Sequence, residues 1–355
     1  MGIKQVAAHA GVAVGTVSNV LNQPDVVAEA TRRRVLDAID ELGYVRNESA
    51  RALRAGSSRT IALVVLDAAN PFFADIASGV EPVADGMGSM VVVCDTGGDP
   101  RRERRYLAQL EEQRVQGVLI TPVGDDNDAL VRLSQRGTPV VLVDSGTLRH
   151  KSCCVSVDDV LGGRLAIEHL IHAGFGRIAL VGGHDGIRQV AERRDGARHA
   201  MASAQGPVKD SAQGSAKDSA KDSAIVSTID TPTLSIAAGR AVGEQIVAMA
   251  PADRPTGVFC ANDLLALGVM QELTRRGIRI PHDIGVVGYD DIDFAEAAIV
   301  PLTSLRQPRA DLGRTAAQLL LAELNEGPSH HHRQVIFEPE LVVRESTSAR
   351  RRRNR

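Results

Sequence analysis

Carboxylates stand where the apolar, strand-like runs of this chain stop. Asp67 follows IALVVL, Asp95 follows MVVVC, Asp144 follows PVVLV and Asp290 follows GVVGY, with Thr121 after GVLI and Asp263 just beyond GVFC. Ligands of α/β folds bind outside the carboxyl ends of the strands, so these residues are candidates for holding a small molecule. Asn70 and the Phe72-Phe73 pair, after the first run, join them. The chemistry suggested is binding rather than turnover, because no Ser-His, Cys-His or metal-ligand set has a recognisable spacing. The Gly182-Gly183 pair after RIALV, leading into GGHDG, lacks the full nucleotide fingerprint. Cys94, Cys153, Cys154 and Cys260 show no zinc-ligand spacing and read as buried thiols in a reducing cytosol. His330, His331 and His332 are consecutive after a Gly-Pro turn. Three such residues cannot all face one ion from a regular element, so a solvated loop and no metal are expected.

Two kinds of element must position these groups. From Thr60 onward, apolar β-branched runs alternate with amphipathic helices, which implies parallel sheets covered on both faces. Before Thr60 the pattern is helical. Ile3, Val6, Ala7 and Ala10 have the spacing of one buried helix face, Gly11 breaks it, and Val17, Val20 and Leu21 repeat it. Two short helices joined at a glycine form the helix-turn-helix pattern, whose second helix can enter the DNA major groove. A third helix, TRRRVLDAIDELGY, places Val35, Leu36, Ile39 and Leu42 on one face. Ala50, Leu53 and Arg54 then share one face of a helix too short to be stable alone in water.

The chain has 355 residues, a length for two or three domains, and its 43% hydrophobic content supplies sizeable cores. A formal net charge of −3 does not suit a nucleic-acid binder, but the first 60 residues carry eight basic against six acidic residues, a balance of +2. No run is apolar enough to span a bilayer, and MGIKQV lacks the apolar region of a secretory signal, so a cytoplasmic protein is expected. Residues 206–224, rich in KDSA repeats, cannot bury a core and read as an exposed insertion or a solvated helix. Residues 346–355 read as a basic tail.

The motifs TVSNVLN, LGY, ARALR, NPFFA, CANDLLALG and IGVVGYDD occur in an order that resembles the LacI/GalR family of bacterial transcription regulators, from Ile3 to about Glu345. The resemblance implies an N-terminal all-α helix-turn-helix domain (residues 1–46), a hinge helix and linker (47–59), and a core (60–345). The core would be periplasmic-binding-protein-like, two parallel-sheet subdomains with crossovers near Asp158, Gly288 and Leu320. It further implies a homodimer on a palindromic double-stranded operator, controlled by a small effector without a cofactor. The start of the second helix would face base edges, making Val14, Gly15 and Asn19 specificity positions, with Thr16 and Ser18 on phosphates. Asn19 can pair with adenine N6 and N7. Family members often place Ser before this helix where this chain has Ala13, a poor cap. Leu53 resembles the residue that wedges into the minor groove, with Ala50 on its face and Arg51 and Arg54 near phosphates. Phe72, Asp75, Asp95, Arg193 and Asp263 match positions that commonly touch effector, and Asp290 joins them. Carboxylates and one Arg around an aromatic face suit a hydroxyl-rich ligand such as a sugar or nucleoside. Asp263 could instead be a helix N-cap, and Asp290 a structural acceptor. A solute-binding transport component would share the core architecture but not the DNA-reading segment.

Overall fold

The computed structural model describes residues 2–45, 58–124, 127–146, 152–183, 187–205 and 226–348. The hinge positions Ala50, Arg51, Leu53 and Arg54, the insertion 206–224 and the last seven residues lie outside these. Residues 1–58 and 59–355 form two compact units.

In the first unit, α1 (Ile3–His9), α2 (Val14–Asn22) and α3 (Glu29–Leu42) surround a small core of Val6, Ala7, Ala10, Val17, Val20, Val35 and Ala38. Gly11 makes the turn at φ +64°, a conformation in which a Cβ would be strained. Leu36 departs from the expected buried face: it is exposed, and Ala38 is buried in its stead. Helix α2 starts at Ala13, which makes no side-chain cap bond. Ala13→Ser is therefore expected to stabilise α2 by about 1 kcal/mol, slowing amide exchange at its N-terminus about fivefold. Unchanged exchange rates would refute this.

The second unit holds two six-stranded sheets. Its elements are β1 (Thr60–Val65), α4 (Pro71–Gly86), β2 (Met90–Asp95), α5 (Pro100–Glu112), β3 (Gly117–Ile120), α6 (Asp128–Gln135), β4 (Val140–Val143), β5 (Cys153–Val157), α7 (Asp159–His172), β6 (Ile178–Gly183), α8 (Arg188–Gln205), β7 (Val226–Thr231) and α9 (Ile236–Ala248). There follow β8 (Gly257–Cys260), α10 (Asp263–Arg275), β9 (Gly285–Asp290), α11 (Asp293–Ala297), β10 (Thr303–Arg306), α12 (Arg309–Glu326), β11 (Gln334–Phe337) and β12 (Glu340–Val342). The first lobe's sheet has the order β11-β5-β4-β3-β1-β2 and the second lobe's β12-β10-β9-β8-β6-β7. All pairings are parallel except β10 with β12. Strand alternation divides each sheet between two cores: in β1, Ile61, Leu63 and Val65 enter one, and Ala62 and Val64 the other.

The chain passes between lobes after β5 at Asp158, between β10 and α12 at residues 307–308, and between β11 and β12 at 338–339. The crossovers expected near Gly288 and Leu320 are thereby corrected. Gly288 lies within β9, where a Cβ would sit 2.1 Å from Asp263 Oδ1, and Leu320 is a buried residue of α12. Helix α12 returns to the first lobe and lies against α4, each backbone closing on the other's glycine: Gly79 on Ala310 and Gly313 on Ile76.

Two domain boundaries and one loop assignment also change. Arg59, assigned to the linker, already pairs with the sheet, its carbonyl accepting from Met90 N at 3.0 Å. Ser346 and Thr347, assigned to the tail, are buried, and the Ser346 hydroxyl donates to the Val286 carbonyl at 2.6 Å. The histidine run is not a solvated loop throughout: the His330 side chain is 2% exposed, against Cys153.

Candidate DNA-reading helix and effector cleft

On α2, Val14, Gly15 and Asn19 are exposed, while Val17 and Val20 hold the opposite face in the core. Thr16 and Ser18 are half-buried. Ser18 is engaged locally, its carbonyl and hydroxyl oxygens accepting from Asn22 Nδ2 at 2.8 and 3.2 Å. An exposed amide on a helix locked by its other face can be presented to a base edge without rearrangement.

In the second unit, Arg193 is the centre of the polar cluster between the lobes. It comes from α8, which packs tightly on α7 because Gly163 lies against the Arg193 backbone and Gly196 against Val160. Its Nε donates to Asp159 Oδ1 at 2.7 Å, its NH1 donates to the Ala261 carbonyl at 2.6 Å, and its guanidinium lies 3.6 Å from the Tyr289 ring centroid. Burial works against its charge, but Asp159, Asp290 and Asp144 outweigh that and hold it protonated.

The two lobes meet through carboxylates. Asp144, at the end of β4, accepts from Gln189 Nε2 of α8 at 3.2 Å. Asp290, at the end of β9, accepts from Gln307 Nε2 at 2.8 Å and from Asn70 Nδ2 of the other lobe at 3.4 Å. Burial pushes the Asp290 carboxyl up to about 6, with Arg193 opposing. Burial and the neighbouring Asp159 charge hold Asp144 well above the usual carboxylate range. Burial, then the Asp290 charge, does the same to Asp263. Asp144 (φ 52°), Asp290 (φ 107°) and Asp291 (φ 52°) all have left-handed backbone, strain of the kind that gathers at functional sites. Thr121 Oγ1, Asp144 Oδ1 and Gln307 Oε1 are buried without a hydrogen-bond partner among the described residues.

The expected effector residues are thus only partly gathered. Arg193 and Asp290 stand in the cluster. Phe72 does not offer an aromatic face: it is 3% exposed and its ring, 5.1 Å from that of Phe73, belongs to the first lobe's core. Asp75 is paired with Arg309 at 3.0 Å, and Arg309 in turn donates to the Asp291 carbonyl. Asp95 holds a turn, accepting from Gly97 N at 2.8 Å. Asp263 is not the N-cap, which is Asn262; its two oxygens accept from Ser304 Oγ at 2.6 Å and Ile292 N at 2.9 Å. Gln189, Gln307 and Asp159 were missed, because the first turn of a helix, a strand end after TSLR and a crossover carry no distinctive spacing. Asn70 and Asp144 were legible as strand-end residues.

A helix-turn-helix unit on a chain whose second unit joins two mostly parallel-sheet lobes through buried polar pairs is the architecture of a ligand-controlled DNA-binding protein. Residues 2–47 match the model of bacterial regulatory proteins, lacI family, and residues 167–347 match that of a periplasmic binding protein-like domain. The HTH-type transcriptional repressor PurR of Vibrio parahaemolyticus is 36% identical over 344 residues, 96% of this chain and 97% of that protein. Among solved structures, a complex of the transcriptional regulator CelR with cellobiose is 33% identical, covers 98% of this chain and 99% of that one, and has a TM-score of 0.67. The lac repressor dimer bound to operator and an anti-inducer is 28% identical over 98% of this chain and 99% of that one, at a TM-score of 0.78. The chain belongs to the lacI family of bacterial regulatory proteins, and it is a DNA-binding repressor regulated by a small effector. No described helix is long and apolar enough to cross a membrane.

Proposed function

We propose that the effector is a hydroxyl-rich metabolite of the sugar class, bound between the lobes by Arg193, Asp290, Asp144, Gln189 and Asn70. The observation that carries this is the pairing of polar groups from opposite lobes, Gln189 with Asp144 and Asn70 with Asp290. A polyol presents donors and acceptors that can replace both pairs and satisfy the Thr121, Asp144 and Gln307 atoms as well. Its entry exchanges lobe–lobe bonds for lobe–ligand bonds, so occupancy and lobe spacing are linked. The cellobiose held by the CelR relative supports the ligand class. Phe72 and Asp95 contribute indirectly, through the core and a turn.

In this reading the chain acts in the cytoplasm as a homodimer on a palindromic operator, and by binding rather than catalysis. Asn19 reads a base, Val14 makes an apolar contact, Gly15 allows close approach, and Thr16 and Ser18 meet phosphates. Residues 47–57 couple the two units, with Ala50 and Leu53 at the minor groove and Arg51 and Arg54 at phosphates. Effector would change operator affinity by the 5–150-fold typical of such coupling.

The test is selection of genomic fragments by the purified full-length protein at near-physiological salt, with and without a panel of sugars and nucleosides. A shared palindrome whose recovery changes with one sugar is the expected result. Asn19→Ala should alter the preferred half-site, and an unchanged consensus would assign base reading to another residue. Recovery of a palindrome whose occupancy responds only to nucleosides would overturn the sugar class. Enrichment without common sequence, fading with salt, would mean backbone attraction alone.

A further inference from the structure

We propose that Cys153, Glu323, His330 and His332 form a zinc site, remote from the effector cleft and independent of it. Their ligand atoms all lie within 4.8 Å of one another. Cys153 Sγ is 3.2 Å from His330 Nε2 and 3.9 Å from His332 Nδ1, and His332 Nδ1 is 4.0 Å from Glu323 Oε2. Zinc bonds of about 2.0–2.3 Å in a tetrahedron place ligand atoms roughly 3.3–3.6 Å apart, a spacing these separations bracket. Side-chain adjustments of under about 1 Å would bring all four onto one ion.

Three further features favour a metal over a chance meeting of polar groups. Glu323 Oε2 is buried without a hydrogen-bond partner among the described residues, a costly state that coordination would relieve. His330 offers Nε2 to the cluster while its Nδ1 lies 2.8 Å from Glu326 Oε2, the carboxylate–histidine support that orients zinc-bound imidazoles. The Arg333 backbone N–H donates to Cys153 Sγ at 3.4 Å, an N–H···S contact that holds the sulfur in place toward the cluster. Binding releases the thiol proton and forms the Zn–S bond. Thiolate, two imidazoles and a carboxylate select zinc over magnesium or calcium, and four protein ligands leave no open position, so the role is structural.

The position gives that role content. Cys153 opens β5, His330 and His332 precede β11, and Glu323 lies near the end of α12. These are the amino ends of the strands, opposite the cleft. A zinc ion there would fasten the returning helix α12 to the sheet edge that β11 completes. The cysteine lies 170 residues before Glu323 in sequence, which hides the site from any motif of local spacing.

The full-length protein, stripped with chelator under reducing conditions and reloaded, should retain one zinc per chain through gel filtration. Cobalt should give a thiolate charge-transfer band and the intense visible bands of tetrahedral coordination. Cys153→Ser should abolish the charge-transfer band and weaken zinc binding by more than about 100-fold, and Glu326→Gln should weaken it about tenfold. His331→Ala, whose side chain is outside the set, should change neither. Circular dichroism checks folding, and Glu323→Gln with His332→Ala replaces Cys153→Ser should that variant fail to fold. Zinc retained equally by wild type and ligand variants, loss of zinc from the wild type during filtration, or octahedral cobalt without the sulfur band would each overturn the proposal.

Discussion

Arg193→Met should lower the stability of the second unit by about 3–5 kcal/mol, the usual consequence of removing one partner from a buried ion pair. Arg193 compensates Asp159 directly and Asp290 and Asp144 through space, and all of these side chains are buried. Methionine fills much of the volume but leaves three carboxyls without their cation, so they take up protons or admit water. The measurement is chemical denaturation of the full-length protein followed by a probe in the second unit. Adding Asp159→Asn to Arg193→Met should recover part of the loss, since the charge that Arg193 balances most directly is then gone. Strict additivity of the two substitutions would show that the pair does not interact. Arg193→Lys should recover little, because an ammonium cannot donate simultaneously to Asp159 and Ala261 while lying flat on Tyr289.

The second large effect is pH-dependent. The Asp290 carboxyl is pushed up to about 6 in the folded chain, against an ordinary value of 3.8. A folded-state pKa above the unfolded one means that the native protein holds the proton more tightly. The stabilising contribution is therefore fully present below about pH 4 and is lost as pH rises through 6. At 1.36 kcal/mol per unit, the loss is at most about 3 kcal/mol. Asp144 and Asp263, both raised, add to the slope in the same direction. Asp290→Asn should flatten the dependence between pH 4 and 6. Denaturation midpoints across that range compare the two proteins, and parallel curves would exclude Asp290 as the source. The same protonation bears on ligand binding, because a neutral Asp290 can donate to a polyol oxygen whereas the carboxylate only accepts.

Much of this was legible in the sequence, for identifiable reasons. IALVVL, GVLI, PVVLV, RIALV, GVFC and IGVVGY are strands because sheets buried on both faces demand uninterrupted apolar runs, MVVVC forms a half-exposed edge strand, and the ends of these runs identified Asp144 and Asp290. The strands beyond these seven, CCVSV, VSTIDT, TSLR, QVIF and ELV, are more polar or shorter; all five lie at or next to a sheet edge, where the apolar pattern weakens. Phe72 was misplaced because it follows the first strand run and matches a family position that commonly touches effector. Asn70 in fact caps α4 by accepting from Phe72 N, which turns the ring into the core. Gln189 and Gln307 could not be found, since amides mark a ligand site only once a fold sets carboxylates opposite them. The later crossovers were displaced because β10 and β11 are four-residue strands in different sheets, separated by a helix whose pattern does not say which lobe it covers.

The returning helix also dictates an order of assembly during synthesis. A ribosome that has made β1 through β5 has produced five of the six strands of the first sheet, yet only α4 covers its core face, and the part on which α12 lies, with Val141, Val155 and Val157 among its residues, is still open. Leu312, Ala316 and Leu320, which close that face, emerge only after the whole second lobe through β10 has been made. The lobe encoded first is thus still open when the second has been made through β10, and a nascent chain arrested before residue 309 presents an apolar surface to chaperones and proteases.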